Sequence, residues 1–204
     1  MKSEQTEILY TLGDTLYVNL TNRCPCRCTF CIRQNGTGVG TADNLWLSHE
    51  PSLEQVWEAF SRVDLQAYPE VVFCGYGEPT CALDTLLAVC RRIRQTSRIP
   101  IRINTNGLGD LIHEKPIAPL LKGWVDTVSV SLNAPTKEEY LAVTRPSFGE
   151  RSFDAMLRFA QDCQAQGIST MFTVVDVLSP EQIEASRKLA DTLGIPLRVR
   201  TYSA

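Results

Sequence analysis

The chain has 204 residues, with 20 Lys plus Arg against 23 Asp plus Glu and a formal net charge of −3. That balance argues against a broad nucleic-acid or anionic-membrane footprint, which needs clustered positive charge. A hydrophobic content of 44% is ordinary for a globular protein, and the length suits one domain spanning residues 1–204. No apolar run approaches the roughly 18 residues of a membrane span. The opening MKSEQTEILYTLGD is too polar for a signal peptide. A soluble, cytoplasmic protein is expected.

The chain alternates between β-rich runs and amphipathic stretches. Glu7 to Leu12 and Thr15 to Leu20 flank Gly13-Asp14, a two-residue hairpin turn that would set a short antiparallel edge strand. Ser52 and Gln55 form a capping box ahead of Leu53, Val56, Trp57, Phe60 and Val63, which share one helical face. Further strands are predicted at Glu70 to Cys74, Pro100 to Asn104 and Asp126 to Leu132. The segment Leu111 to Lys122, carrying Pro116 and Pro119, makes a poor helix. Thr136 and Glu139 open a helix, and Phe153, Met156, Leu157 and Ala160 line another that stops at Gly167. Thr170 to Val175 and Pro196 to Thr201 complete the strands, with a helix between them that starts at Ser179-Pro180 and stops at Gly194. Alternation of this kind predicts parallel strands joined by right-handed crossovers. Continuous apolar runs predict strands covered on both faces. The expected fold is α/β: a partial (β/α)6 TIM-like barrel of parallel strands with a short N-terminal antiparallel edge strand.

Eight cysteines fall in two groups. Cys24, Cys26, Cys28 and Cys31 lie within eight residues directly after the first parallel strand; Cys74, Cys81, Cys90 and Cys163 are scattered. Without an export signal, the tight group reads as metal-binding and the isolated ones as small core residues. Cys24, Cys28 and Cys31 have the spacing C-x3-C-x2-C, with Phe30 just before the last. Three thiolates on one loop can each hold an iron of a four-iron cluster and leave the fourth iron open. The alternative is a zinc site using all four clustered cysteines, although C-x-C-x-C-x2-C is cramped for a tetrahedral ion. Polar sequence also follows each later strand: GYGEPT, NTNG, SLNAP and then Asp176. In parallel α/β folds the strand carboxyl ends carry the site.

CPCRCTFC after the first strand resembles the signature of the radical S-adenosylmethionine (radical SAM) superfamily. Gly75-Tyr76-Gly77-Glu78 resembles its glycine-glycine-glutamate stretch, and NTNG (Asn104 to Gly107) and Ser131 to Asn133 resemble its strand-end contacts to cofactor. The short length and FCGYGEPT look most like the TatD-nuclease-associated members. The resemblance implies an enzyme with a [4Fe-4S] cluster on Cys24, Cys28 and Cys31, and S-adenosylmethionine as second cofactor. Reductive cleavage of that cofactor would yield a 5′-deoxyadenosyl radical that abstracts hydrogen from a small-molecule or nucleotide substrate. Gly75 and Gly77 would let backbone approach the methionyl end, and Glu78 would accept a hydrogen bond from its ammonium group. Phe30 would pack near the adenine. Asn106, Ser131 and Asn133 would contact ribose or carboxylate.

Each residue also has a plainer reading: a turn at the glycines and at NTNG, a helix cap at Glu78, and another at Ser131 and Asn133. Cys26 lies outside the family spacing and is expected to be a bystander or an alternate ligand. Cys74 would line the site or, more plainly, be a buried strand cysteine; Arg102 and Arg145 would meet a carboxylate or phosphate, with a solvated arginine as the default. Residues Gln34 to Asn44 read as a flexible loop that closes over substrate or meets a partner. A low-potential electron donor, flavodoxin or ferredoxin, is implied, and a protein partner or a second subunit would complete the open side. Two other functions fit the same residues: an activase placing a glycyl radical on a partner protein, and a non-catalytic metal- or SAM-binding scaffold.

Overall fold

The computed structural model describes residues 8–34 and 38–202. Its centre is a seven-stranded sheet in the order β1-β2-β3-β4-β5-β6-β7. The strands are β1 (Leu9–Leu12), β2 (Thr15–Val18), β3 (Val71–Phe73), β4 (Ile101–Thr105), β5 (Thr127–Ser131), β6 (Ser169–Val175) and β7 (Leu197–Arg200). β1 pairs antiparallel with β2, and every later pairing is parallel. Spatial order equals chain order, and among the described residues no strand joins β7 back to β1, so the sheet is an open, partial barrel. Gly13 makes the β1–β2 turn at φ +63°, a left-handed conformation that suits glycine.

The helices are α1 (Leu53–Phe60), α2 (Leu83–Thr96), α3 (Gly109–His113), α4 (Ala118–Leu121), α5 (Lys137–Thr144), α6 (Arg151–Ala165) and α7 (Pro180–Thr192). Ser52–Gln55 and Ser179–Gln182 form capping boxes on α1 and α7. Thr136 Oγ1 accepts from the Glu139 amide at the start of α5. The expected weak helix breaks around Pro116, while Pro119 sits in the first turn of α4: α3 ends at a left-handed Glu114, and Asp110 Oδ1 caps the Ile117 amide at 2.9 Å before α4 begins.

One expectation about the strands fails. β4 alternates buried and half-buried residues where a continuous apolar run was predicted. Leu16, Val71 and Ile101 pair across the strands, as do Val18, Phe73, Ile103 and Val128, and all sit in the main core with α2 and α6. The intervening row, Tyr17, Val72, Arg102 and Thr127, faces the other way. Helices cover only the outer face; the inner face of an open barrel lines a cavity and tolerates polar groups. Arg102 accordingly is not solvated: its Nε and Nη2 donate to Glu70 at 3.0 and 2.5 Å, and its Nη1 to Asn104 Oδ1 at 3.2 Å.

Candidate active site

A cavity of about 230 Å³ opens at the carboxyl ends of the parallel strands. All ten residues singled out from the sequence line it: Cys24, Cys28, Phe30, Cys31, Gly75, Gly77, Glu78, Asn106, Ser131 and Asn133. They come from the loops after β2, β3, β4 and β5, far apart in sequence. Val175 and Arg200 close the far wall.

The cysteine loop is held on three sides. Ahead of it, Asn22 exchanges two hydrogen bonds with the backbone of Leu47, at 2.6 and 3.0 Å. Arg23 donates to both carboxylate oxygens of Glu50, at 2.6 and 2.9 Å, and to the Cys81 carbonyl at 2.7 Å. Behind it, the amides of Arg27 and Thr29 donate to the last carbonyls of α5, Thr144 and Val143, at 2.9 and 2.8 Å. Those carbonyls are the orphan acceptors of a helix end, so the loop completes the helix while the helix fixes the loop. None of Asn22, Arg23 and Glu50 was anticipated. The signal was present, because three polar residues directly after a strand and before a ligand loop must bond to something.

Gly75 and Gly77 are required by the packing of the chain around them. A Cβ on Gly75 would lie 2.0 Å from Asn19 Oδ1, and one on Gly77 would lie 2.1 Å from the Thr21 carbonyl and 2.8 Å from that of Arg23. The close approach is to the chain entering the cysteine loop. The Glu78 amide then donates to the Arg23 carbonyl at 2.8 Å, locking the two loops together. Tyr76, between the glycines, is buried in a small second core with Tyr10, Ala42 and Leu45.

Glu78 is 3% exposed and already well bonded. Its Oε1 accepts from the Thr80 amide, the Thr80 hydroxyl and the Thr105 hydroxyl, at 3.1, 2.7 and 2.7 Å; Oε2 accepts from the Asn106 amide at 2.7 Å. It caps the 3-10 turn Pro79–Ala82 and ties the end of β4 to the end of β3. Oε2, with one donor, is the atom with capacity for another. Burial pushes its carboxyl pKa up, against the pull of Asn106, Thr105 and Thr80.

Asn106 Oδ1 accepts from the Leu108 amide at 2.9 Å, while its Nδ2 lies 3.8 Å from Cys24 Sγ and 3.7 Å from Cys26 Sγ. Its side chain thus faces the thiols of the cavity wall. Asn133 adopts φ +63°, which asparagine tolerates better than most side chains. Cys74 lines the cavity wall beside Asn104. Asp176 Oδ1 accepts from the Tyr202 amide at 2.7 Å.

Cys26 is 2% exposed, and its Sγ lies 3.7 Å from Asn106 Nδ2. Hydrogen bonding from Cys26 lowers the pKa of Cys24 and Cys28, against the opposing effect of burial. The Cys26 thiol is pushed up by the same two partners and by burial. Tyr140 of α5 lies beneath, 1% exposed and within electrostatic range of Cys26 and Cys28. Its hydroxyl has no hydrogen-bond partner among the described residues; the adjacent Thr144 Oγ1 donates instead to the Tyr140 carbonyl at 2.7 Å.

Of the segment read as a flexible loop, residues 35–37 lie outside the described residues. Residues 38–44 are mostly exposed and tethered to β1 at one point: the Thr41 amide donates to the Thr11 carbonyl at 2.9 Å, a Cβ on Gly40 would fall 1.9 Å from that carbonyl, and Ala42 is buried. Among the described residues no helix is long and apolar enough to cross a membrane.

An open parallel barrel with a triple-cysteine loop at its carboxyl mouth, locked to a glycine-flanked glutamate, defines a class. The family model of the radical SAM superfamily matches residues 18–192, and the chain belongs to that superfamily of enzymes. GTP 3′,8-cyclase of Corynebacterium glutamicum (strain ATCC 13032) is 30% identical over 138 residues, which are 64% of this chain and 33% of that protein. GTP 3′,8-cyclase 2 of Mycobacterium bovis is 30% identical over 136 residues, 66% of this chain and 35% of that protein. The matched regions thus amount to about a third of the length of these relatives. Among solved structures, anSMEcpe with bound AdoMet and a peptide superposes at a TM-score of 0.69 with 18% identity, covering 92% of this chain and 50% of that one. SuiB of Streptococcus suis gives 0.66 with 19% identity, covering 95% and 40%. These structural likenesses establish the fold, a partial barrel.

Proposed function

We propose that this protein holds a [4Fe-4S] cluster on Cys24, Cys28 and Cys31 and uses it to cleave S-adenosylmethionine. The observation that carries the reading is the convergence of ten predicted residues from four loops on one cavity. The donor set fits. Thiolate ligands in such clusters sit on separate irons, so one loop with C-x3-C-x2-C spacing serves where a single ion would need one convergence point. Among the described residues, no three His, Cys, Asp or Glu side chains converge on such a point. The buried Tyr140 hydroxyl, without a hydrogen-bond partner among the described residues, is a donor within electrostatic range of Cys26 and Cys28.

When bound, the cluster supplies an electron that breaks a sulfur–carbon bond of S-adenosylmethionine, giving methionine and a 5′-deoxyadenosyl radical that takes hydrogen from substrate. The chain's own residues bind and orient. Glu78 Oε2 accepts from the ammonium group of the methionyl end, in addition to the Asn106 amide. Asn133 and Ser131 present polar groups at the end of β5. Phe30 and Val175 give apolar surface for the adenine and exclude water from the mouth. Cys26 stays a thiol and donates its one S–H to a neighbouring ligand, Cys24 or Cys28.

Relatives named GTP 3′,8-cyclase favour a nucleotide over an unrelated small molecule as substrate. Likeness to the TatD-nuclease-associated members rests on the FCGYGEPT stretch. The electron would come from a low-potential donor of the flavodoxin or ferredoxin kind.

The test is anaerobic reconstitution with iron and sulfide. Wild type should take up a four-iron cluster whose reduced EPR spectrum changes when S-adenosylmethionine is added. Protein that retains only zinc would overturn the proposal.

A further inference from the structure

Arg33, two residues past Cys31, is tucked inside the cysteine loop, although a solvated guanidinium is the usual state of a loop arginine. Its Nη1 donates to the Asn22 carbonyl at 3.3 Å and its Nη2 to the Cys26 carbonyl at 3.4 Å, so the group spans the loop from its entry to its middle. Trp46 covers it, with Cζ 5.7 Å from the ring centroid. Trp46 in turn meets the buried Tyr76 edge-on at 5.3 Å, which anchors the cover to the second core. No ion pair within reach neutralises Arg33 among the described residues.

A fixed cation is thus held by carbonyls of the loop that carries all three proposed ligands, bonded at Cys26 between Cys24 and Cys28. Cluster potentials are set by net charge, hydrogen bonds to sulfur and exposure. Reduction adds one electron from an external donor and moves no proton, so the site becomes one charge more negative. A half-buried cation beside it is screened less than one in open solvent and favours the reduced form. We propose that Arg33 is a positioning residue for the cluster, assembling the thiolates and raising the reduction potential. This rests on the cluster reading above.

The experiment compares full-length wild type, R33Q and R33K, each reconstituted anaerobically, assayed for iron and sulfide, and titrated with dithionite while the reduced-cluster EPR signal is followed. Glutamine can still donate to one loop carbonyl and removes only the charge; lysine keeps the charge. R33Q should show a reduction constant lower by about tenfold, a midpoint about 59 mV more negative, with R33K closer to wild type. Failure of R33Q to load a cluster that R33K accepts would equally support the charge. An R33Q midpoint equal to wild type at full loading would overturn the proposal, as would R33Q and R33K failing or shifting alike. A wild-type protein without a four-iron cluster would instead sink the reading beneath it.

Discussion

Replacing Glu78 with glutamine tests how the two site loops are joined. The carboxylate receives two backbone amides and two threonine hydroxyls. The hydroxyls rotate; the amides of Thr80 and Asn106 do not. A glutamine side chain offers one oxygen, so whichever way it turns, its NH2 group opposes one buried backbone N–H. Leaving one such group unsatisfied costs about 1–3 kcal/mol, or roughly 2–12 °C in melting temperature for a chain of this size. Urea and thermal unfolding of cluster-free wild type and E78Q measure it. The pH dependence has a definite sign. Burial raises the folded pKa of Glu78, so between the unfolded value of about 4.3 and that raised value the native state holds a proton the unfolded state lacks. Wild-type stability then falls as pH rises through this window, and E78Q has no such contribution. The gap between the two proteins should therefore narrow with rising pH. An E78Q variant within about 0.5 kcal/mol of wild type at both ends of the window would refute this account of the loop junction.

Other expectations follow from the same contacts. G77A should drive its new methyl into the Thr21 and Arg23 carbonyls and destabilise by about 1–3 kcal/mol, with iron retention falling as the cysteine loop is displaced. Y140F removes a hydroxyl that bonds nothing among the described residues, so cluster-free stability should stay within about 0.5 kcal/mol; reconstituted protein should lose iron to a chelator faster than wild type. C26A should keep its capacity for iron, unlike C24A, C28A and C31A. Without the Cys26 donor, the pKa values of Cys24 and Cys28 should rise, and their alkylation by iodoacetamide near neutral pH should slow in mass-spectrometric mapping.

Much of this was readable in the chain. Polar sequence after each strand located the site because parallel strands all deliver their carboxyl ends to one side, and a capping box such as Ser52–Gln55 is a local event with local causes. What escaped was decided by contacts between loops. The glycines flanking Tyr76 look like a provision for a ligand, yet their neighbours are Asn19, Thr21 and Arg23, more than 50 residues away in sequence. Cys26 falls outside the ligand spacing, and spacing says nothing of a thiol buried against Asn106. Residues 38–44 have a loop's composition and are nonetheless pinned to β1 through Thr11 and Thr41. Arg33 has no signature of its own; only the fold of the loop around it reveals its place.

Radical initiation is the central claim, and counting 5′-deoxyadenosine by chromatography tests it most directly. Anaerobically reconstituted protein is mixed with dithionite and S-adenosylmethionine, with C31A treated identically. Wild type should release 5′-deoxyadenosine, and C31A none. A fully loaded wild-type protein that binds S-adenosylmethionine and yields no more 5′-deoxyadenosine than C31A would contradict it.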